Sequence, residues 1–448
     1  MKKLYEGNIR RNFFSFAFPL ILTALFSQAY NIINTIMAGK LIGDNAISAI
    51  GSTAPFVSLI SSLFWGYGTG FSIYVAMLFG KGDYKKMVNV IKTNIFISSL
   101  IVLTISFLCI VFHKHIFDFL NIEESIRKDA FLYFGIYMSG LVFLHISWSM
   151  AFVSNAIGHT VLPLGASLIS NILNITGNYV LVKHTDMGVG ATALATIGSA
   201  LVVCIFYFYM VSKSFKKSKI PTKGIYISKD ELKMSWEYAF PTMLQQSVMY
   251  LCTALVSPLT NKCGAAAIAG YTIGMRLYDL NAAVYQNSNK TVSNYIAQCI
   301  GAKKHNMIKS GIRTGVIQTS MFLLPLLVAT VFGAKYISGI FLNESDSIHF
   351  SIIFMRYCMP FVLFNVINNL AHAIFRSAGA GKILVASTLV YSVSRFAYSY
   401  ILYPKLEMYG IFLAVVLSWI TEAILCIFIY VSGRWKNEEY KLNEMMHG

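Results

Sequence analysis

Apolar residues in this chain run together in long stretches separated by short polar segments, with neither the 3.6-residue period of a surface helix nor the alternation of a half-buried strand. A stretch of about 20 apolar residues can cross a bilayer as a helix. Twelve such stretches occur, at 13–37, 48–79, 88–112, 130–153, 162–183, 189–212, 237–260, 266–298, 312–334, 350–375, 381–403 and 409–432. They lack the short alternating segments of a membrane barrel. Only helices and closed barrels satisfy their backbone within lipid, so the predicted fold is an all-α integral membrane protein of twelve transmembrane helices. The second and eighth stretches exceed the bilayer's requirement, which predicts tilt.

Composition agrees. Apolar types make up 56% of the 448 residues and charged types 12%, too few charges to coat a soluble protein of this size. A net charge of +17 would suggest nucleic acid in a soluble chain, but here the basic residues lie between apolar runs. With both termini inside, 22 Lys and Arg fall on the cytoplasmic side and 8 opposite, which predicts a multi-pass protein with both termini cytoplasmic. The first apolar segment is too long for a cleavable signal core. The seven Cys lack paired metal-ligand spacing and read as small packing residues.

Sliding the chain by about 221 residues superposes it on itself. Phe16-Ala17-Phe18-Pro19 meets Tyr238-Ala239-Phe240-Pro241, Gly80-Lys81-Gly82 meets Gly301-Ala302-Lys303, and Asn155 and Gly158 meet Arg376 and Gly379. Tyr179 falls on Tyr400, and Gly188 on Gly410 with one residue of slip. Six spans per repeat give two like-oriented lobes related by a pseudo-two-fold axis along the membrane normal, an arrangement suited to alternating access. The expected organisation is a cytoplasmic amino terminus (1–12), an amino lobe (13–213), a Lys-rich cytoplasmic linker (214–235), a carboxyl lobe (236–433) and a cytoplasmic tail (434–448).

Several local patterns recur in order: Asn31 to Gly39 closing the first span, Ala46 to Gly51, Gly80 to Asp83, Asn155 to Thr160 with Pro163, Gly188 to Ala191, and Ala297-Gln298 followed by Gly301-Ala302. In these the chain, from about residue 10 to 432, resembles the multidrug and toxic compound extrusion (MATE) transporters. The resemblance implies a two-lobed, twelve-helix antiporter of the bacterial inner (plasma) membrane that expels amphipathic, often aromatic, organic cations in exchange for H+ or Na+. It also implies acidic residues where this chain has Asn34 and Asn178. Some relatives carry an acid in the seventh span, where this chain offers Gln245 and Gln246.

Ionisable groups inside a bilayer are costly and invite functional readings. Asp279 and Glu422 are the two acids placed well within apolar sequence, and both are candidates for ion coupling, since a proton or sodium ion can neutralise a carboxylate. Asp279, three residues after Arg276, shares its helix face and is equally placed to pair with it. Glu422 has no local partner, and Arg395 or Lys290 is expected to reach it. Asn171, Asn174 and Asn178 share a face at i, i+3 and i+7. With Asn34, Asn174 and Asn178 are read as coupling or cavity residues, helix–helix hydrogen bonding being the alternative. His372 reads mainly as a hydrogen-bonded packing residue. Expected around a substrate cavity are Gln28, Tyr30, Asn31, Gln245, Gln246, Tyr250, Asn365, Asn369 and Arg395, among 26 Tyr, 33 Phe and 19 Met able to face a flat cation. Pro19 and Pro241, at equivalent positions, predict helix bending.

No Walker phosphate loop occurs, so transport driven by a gradient rather than by bound ATP is expected. Gly66-Tyr67-Gly68-Thr69-Gly70 lies within a span and reads as close helix packing. No metal, cofactor or enzymatic nucleophile–base set is assigned, and one chain suffices for a pathway. Two other readings stand: a flippase for a lipid-linked saccharide, which predicts a cationic cavity from residues such as Arg276, Lys290, Arg356, Arg376 and Arg395, and a non-transporting membrane sensor or assembly subunit.

Overall fold

The structure, a computed structural model, describes residues 3–41, 44–120, 122–185, 187–220 and 228–436, except the side chains of 29, 31–41 and 44–48. No strand occurs among the described residues. Twelve long helices follow one another: α1 (Ile9–Leu41), α2 (Asp44–Lys81), α3 (Tyr84–Val111), α4 (Arg127–Ala156), α5 (Val161–His184), α6 (Val189–Lys217), α7 (Lys229–Asn261), α8 (Ala265–Gly301), α9 (Ile308–Phe332), α10 (Ser345–Ser377), α11 (381–406) and α12 (408–431). Each apolar stretch of the sequence falls on one of them.

The helix ends repeat as the sequence does. Gly82 after α2 has φ +84°, and its counterpart after α8, Lys303, has φ +58°. The backbone of this turn is thus kept where the residue that suits it is not. Short helices, His113–Phe119 and Ala334–Phe341, follow the third helix of each repeat. Before α6 stands Gly188 (φ 50°, ψ −120°), and between α11 and α12 stands Glu407 (φ 48°, ψ −124°). The sequence pairs Gly188 with Gly410, but the conformational counterpart is Glu407, a side chain in a region that favours glycine. α10 is interrupted by a π-turn over Phe354–Cys358 before Pro360. Proline lacks the N–H an α-helix needs and crowds the preceding turn, which accounts for the irregularity.

Among the described residues, eight helical stretches are long and apolar enough to cross a membrane, α11 and α12 counting as one. The three long helices that fall short are α5, α7 and α8. Their sequences carry the amides Asn171, Asn174 and Asn178, then Gln245 and Gln246, then a run of polar residues from Arg276 to Gln298. Low hydropathy here marks polar groups that need partners within the bundle.

The chain forms two compact units, one holding Leu22–Met243, the other Leu4–Ile21 together with the chain from Leu244. The changes of unit fall inside α1 and α7, two residues beyond Pro19 and Pro241. In the first unit, the opening half of α7 packs on α2 at very short range. A Cβ on Gly66 would lie 2.6 Å from Met243 Cα, and one on Gly70 2.4 Å from the Tyr238 carbonyl oxygen. The two glycines therefore serve close helix packing. Asn94 of α3 locks the contact, accepting from Tyr67 Oη (2.7 Å) and donating to Ser235 Oγ (2.9 Å). In the second unit the opening half of α1 packs on α8 and α9. Gln318 donates to the Phe13 carbonyl (2.8 Å), the Phe13 and Tyr295 rings meet at 5.1 Å, and the Leu4 N–H donates to Gln298 (2.8 Å).

Candidate ion-coupling site

The second half of α10 presents Asn365, Asn368, Asn369, His372 and Arg376 at helical spacing, a polar stripe that must find partners once the bundle closes. Asn365 donates to Tyr278 Oη (2.7 Å) and Tyr285 Oη (3.0 Å) of α8, and Asn368 to the Trp419 carbonyl of α12 (3.0 Å). Asn369 accepts from Asn289 (3.1 Å). The Tyr278 and Trp419 rings stack at 5.4 Å. These contacts fix α10 between α8 and α12.

His372 and Arg376, one turn apart, then meet α7 and α12. Arg376 Nη2 donates to Gln245 Oε1 (2.8 Å), and Gln245 Nε2 lies 2.9 Å from His372 Nδ1. The other edge of the imidazole, Nε2, stands 3.0 Å from Glu422 Oε1 and 3.2 Å from Ser387 Oγ. A guanidinium only donates, so Gln245 turns its oxygen to Arg376 and its NH2 to His372. Nδ1 must then accept, which places the imidazole proton on Nε2, where Ser387 Oγ makes the hydrogen bond and Glu422 Oε1 stands at ion-pair distance. Protonating both nitrogens would oppose two donors at Nδ1 unless Gln245 turned over and gave up Arg376. Four side chains from three helices thus form one chain of contacts, with the carboxylate at its end. Glu422 is only 2% exposed. Its Oε1 is at ion-pair distance from His372 and receives no hydrogen bond among the described residues.

Glu422 was expected to meet Arg395 or Lys290, and here the structure corrects the sequence. Its contact is His372. Arg395 turns back along its own helix to Tyr391 Oη (2.7 Å), and Lys290 donates to Asn287 Oδ1 (3.1 Å). The signal was present in the stripe, where His372 stands four residues from both Asn368 and Arg376, but nothing in the sequence says that α12 faces it. His372, read as a packing residue, and Arg376, named only for the cationic cavity of the flippase reading, are the contributors that sequence reasoning left out of the site. His372, Glu422 and Cys426 also bring nitrogen, oxygen and sulfur donors within 4.8 Å of one another, a set that could hold a divalent ion such as zinc.

The other candidates are dispersed. Asp279 is part-buried and Arg276 exposed, and no ion pair joins them among the described residues. In α5, Asn178 Nδ2 donates to Asn174 Oδ1 (2.8 Å), and Asn174 Nδ2 donates to Thr196 Oγ1 of α6 (3.0 Å), an amide chain between two helices. The side chains of Asn31 and Asn34 lie outside the described residues. Gln28, Tyr30 and Gln246 are part-buried and Tyr250 is exposed.

The MatE family model matches residues 19–180 and again 241–401, together more than two thirds of the chain, the two matches beginning at Pro19 and Pro241. The chain belongs to the MatE family. The double match is the internal repeat of the sequence, and the family makes the protein a multi-pass membrane transporter. Among its relatives is the probable multidrug resistance protein YpnP of Bacillus subtilis (strain 168), 24% identical over 435 residues that cover 96% of this chain and 97% of the relative. The multidrug export protein MepA of Staphylococcus aureus (strain MSSA476) is 22% identical over 367 residues, 82% of this chain and 81% of MepA. In fold, this MatE chain matches an outward-facing multidrug resistance MATE transporter of the MOP superfamily, with TM-score 0.89 and 18% identity over 98% of this chain and all of the other. It also matches a MOP superfamily transporter of Pyrococcus furiosus described as having a binding pocket of reverse polarity, with TM-score 0.88 and 18% identity over 98% of this chain and all of the other.

Proposed function

We propose that this MatE protein is a gradient-driven exporter of amphipathic, often aromatic, organic cations, exchanging them for H+ or Na+ by alternating access, with Glu422 as the coupling group. The observation that carries the reading is the buried relay from Arg376 through Gln245 and His372 to Glu422. A carboxylate so placed changes the charge of the bundle interior when a cation neutralises it, and such a change can be linked to opening. The names of YpnP and MepA support the multidrug export part. The relay supports a coupling seat in the carboxyl half, while Asn174, bonded by Asn178, holds α5 to α6. The protein works in the inner membrane as a monomer with both termini cytoplasmic, without ATP, bound cofactor or nucleic acid, and is not an enzyme.

The test is uptake of a fluorescent cationic dye into inside-out vesicles, with proton and sodium gradients imposed separately. Wild type takes up dye under one gradient, and Glu422→Gln loses that dependence. No uptake above empty vesicles under either gradient, with folded protein present, contradicts cation export. A second reading, flipping of an anionic lipid-linked saccharide, is favoured by one observation: Arg376 and Arg395 both lie in the carboxyl bundle without a carboxylate partner among the described residues. Stimulation by such a lipid in place of dye would select it.

A further inference from the structure

We propose that the carboxyl-terminal unit binds a small monoanion, a free halide or the carboxylate of a larger ligand, between Arg395 and Ser392 on α11. This site is separate from the coupling relay and stands whether or not the dye-export reading does. Arg395 is 8% exposed and Ser392 7%. Three residues apart, they share one face of α11.

The groups facing the guanidinium are neutral acceptors or weak donors. Tyr391 accepts from Nη1 (2.7 Å), Tyr271 of α8 faces the same group, and Cys252 of α7 donates its S–H to the Ser392 carbonyl (3.4 Å). Glu422, which lies near Tyr391, is occupied by His372. Arg395 Nε and Ser392 Oγ are both buried and lack a geometrically formed hydrogen bond among the described residues, the guanidinium facing Tyr271 and the hydroxyl lying beside the weakly bonding Cys252 thiol. A guanidinium keeps its charge, and a buried charge without a counter-ion is expensive to retain. Two unanswered donors on one face, one of them cationic, are what a small anion requires. Arg395 leans toward the amino end of its helix, as its bond to Tyr391 shows, so Ser392 is the serine within its reach. Ser399, one turn beyond on the same face, also carries a buried hydroxyl without a partner, but on the far side of Arg395. It therefore serves as the control.

The experiment measures binding of radiolabelled chloride to the full-length protein in lipid nanodiscs by scintillation proximity, with gluconate maintaining ionic strength. Wild type is expected to show saturable binding at one site per chain. Arg395→Gln should lose it at least tenfold, Ser392→Ala should weaken it severalfold, and Ser399→Ala should leave it unchanged. Acetate that displaces chloride would identify a carboxylate site, and failure of acetate to compete would identify a halide site. Absence of saturable chloride binding by wild type, with acetate also failing to raise its thermal stability, overturns the proposal. Equal binding by Ser392→Ala and Ser399→Ala overturns the site even if Arg395→Gln fails to fold.

Discussion

The two units are built from one repeated pattern, yet they spend their buried polar groups differently. In the first unit most of the interior polar contacts join amides and hydroxyls, Asn94 with Tyr67 and Ser235, Asn178 with Asn174, Asn174 with Thr196, and the fully buried His145 meets Ser98 Oγ at 2.7 Å. None of these contacts includes a carboxylate, and those of Asn94, Asn174 and His145 join one helix to the next. In the second unit the corresponding helices bring Arg376, His372 and Glu422 onto one relay, and the same bundle geometry holds a group that can change its charge. The repeat supplies the scaffold, and the substitutions within it place the buried carboxylate in the second unit. Asn155 of the amino half and Arg376 of the carboxyl half occupy the same place in the repeat.

The comparison is broken most forcefully by exchanging those roles. Glu422→Gln should reduce gradient-driven dye uptake by more than tenfold, whereas Asn178→Ala should reduce it by no more than about fivefold, roughly what loss of one hydrogen bond of about 1 kcal/mol allows. The same vesicle assay reads both, and equal losses would erase the distinction between the units. Next in size is Gly70→Val in the first unit. A side chain there meets the backbone of α7 at 2.4 Å, and overpacking of this kind costs about 1–3 kcal/mol or more, read as a lower Tm in detergent. Gln245→Leu keeps the packing and removes both links of the relay. It should lower dye uptake by about threefold to tenfold, on the order of 1 kcal/mol for the lost bonds, without the full loss seen in Glu422→Gln. The smallest effect is at the repeated turn. Glu407→Gly should raise stability by about 1 kcal/mol, since glycine adopts that backbone freely, while Gly188→Glu should lower it by about 1–3 kcal/mol.

Much of this was legible in the sequence. Length and hydropathy of the apolar runs place nine of the twelve long helices outright, while α5, α7 and α8 were placed by length and by the repeat despite their polar residues. The repeat was visible through Pro19 and Pro241, and the glycines from 66 to 70 announced close packing. Partners across helices were not visible. Glu422 has no neighbour along its own helix to suggest His372, and Arg395 and Lys290 were equally plausible by distance along the chain. Which faces meet depends on helix rotation, and rotation is set by the summed packing of every contact. Nor could the sequence show that the opening halves of α1 and α7 group with the other repeat's residues, since apolar content is the same on either side of Ile21 and Met243.

The account turns on Glu422 as the group that couples an ion to transport, and a paired measurement on one variant tests it. In proteoliposomes, Glu422→Gln should still exchange labelled dye for unlabelled dye at equal concentrations, a process that needs no net ion movement, while failing to accumulate dye under the gradient that drives wild type. Accumulation by Glu422→Gln at the wild-type level, under that same gradient, would contradict it.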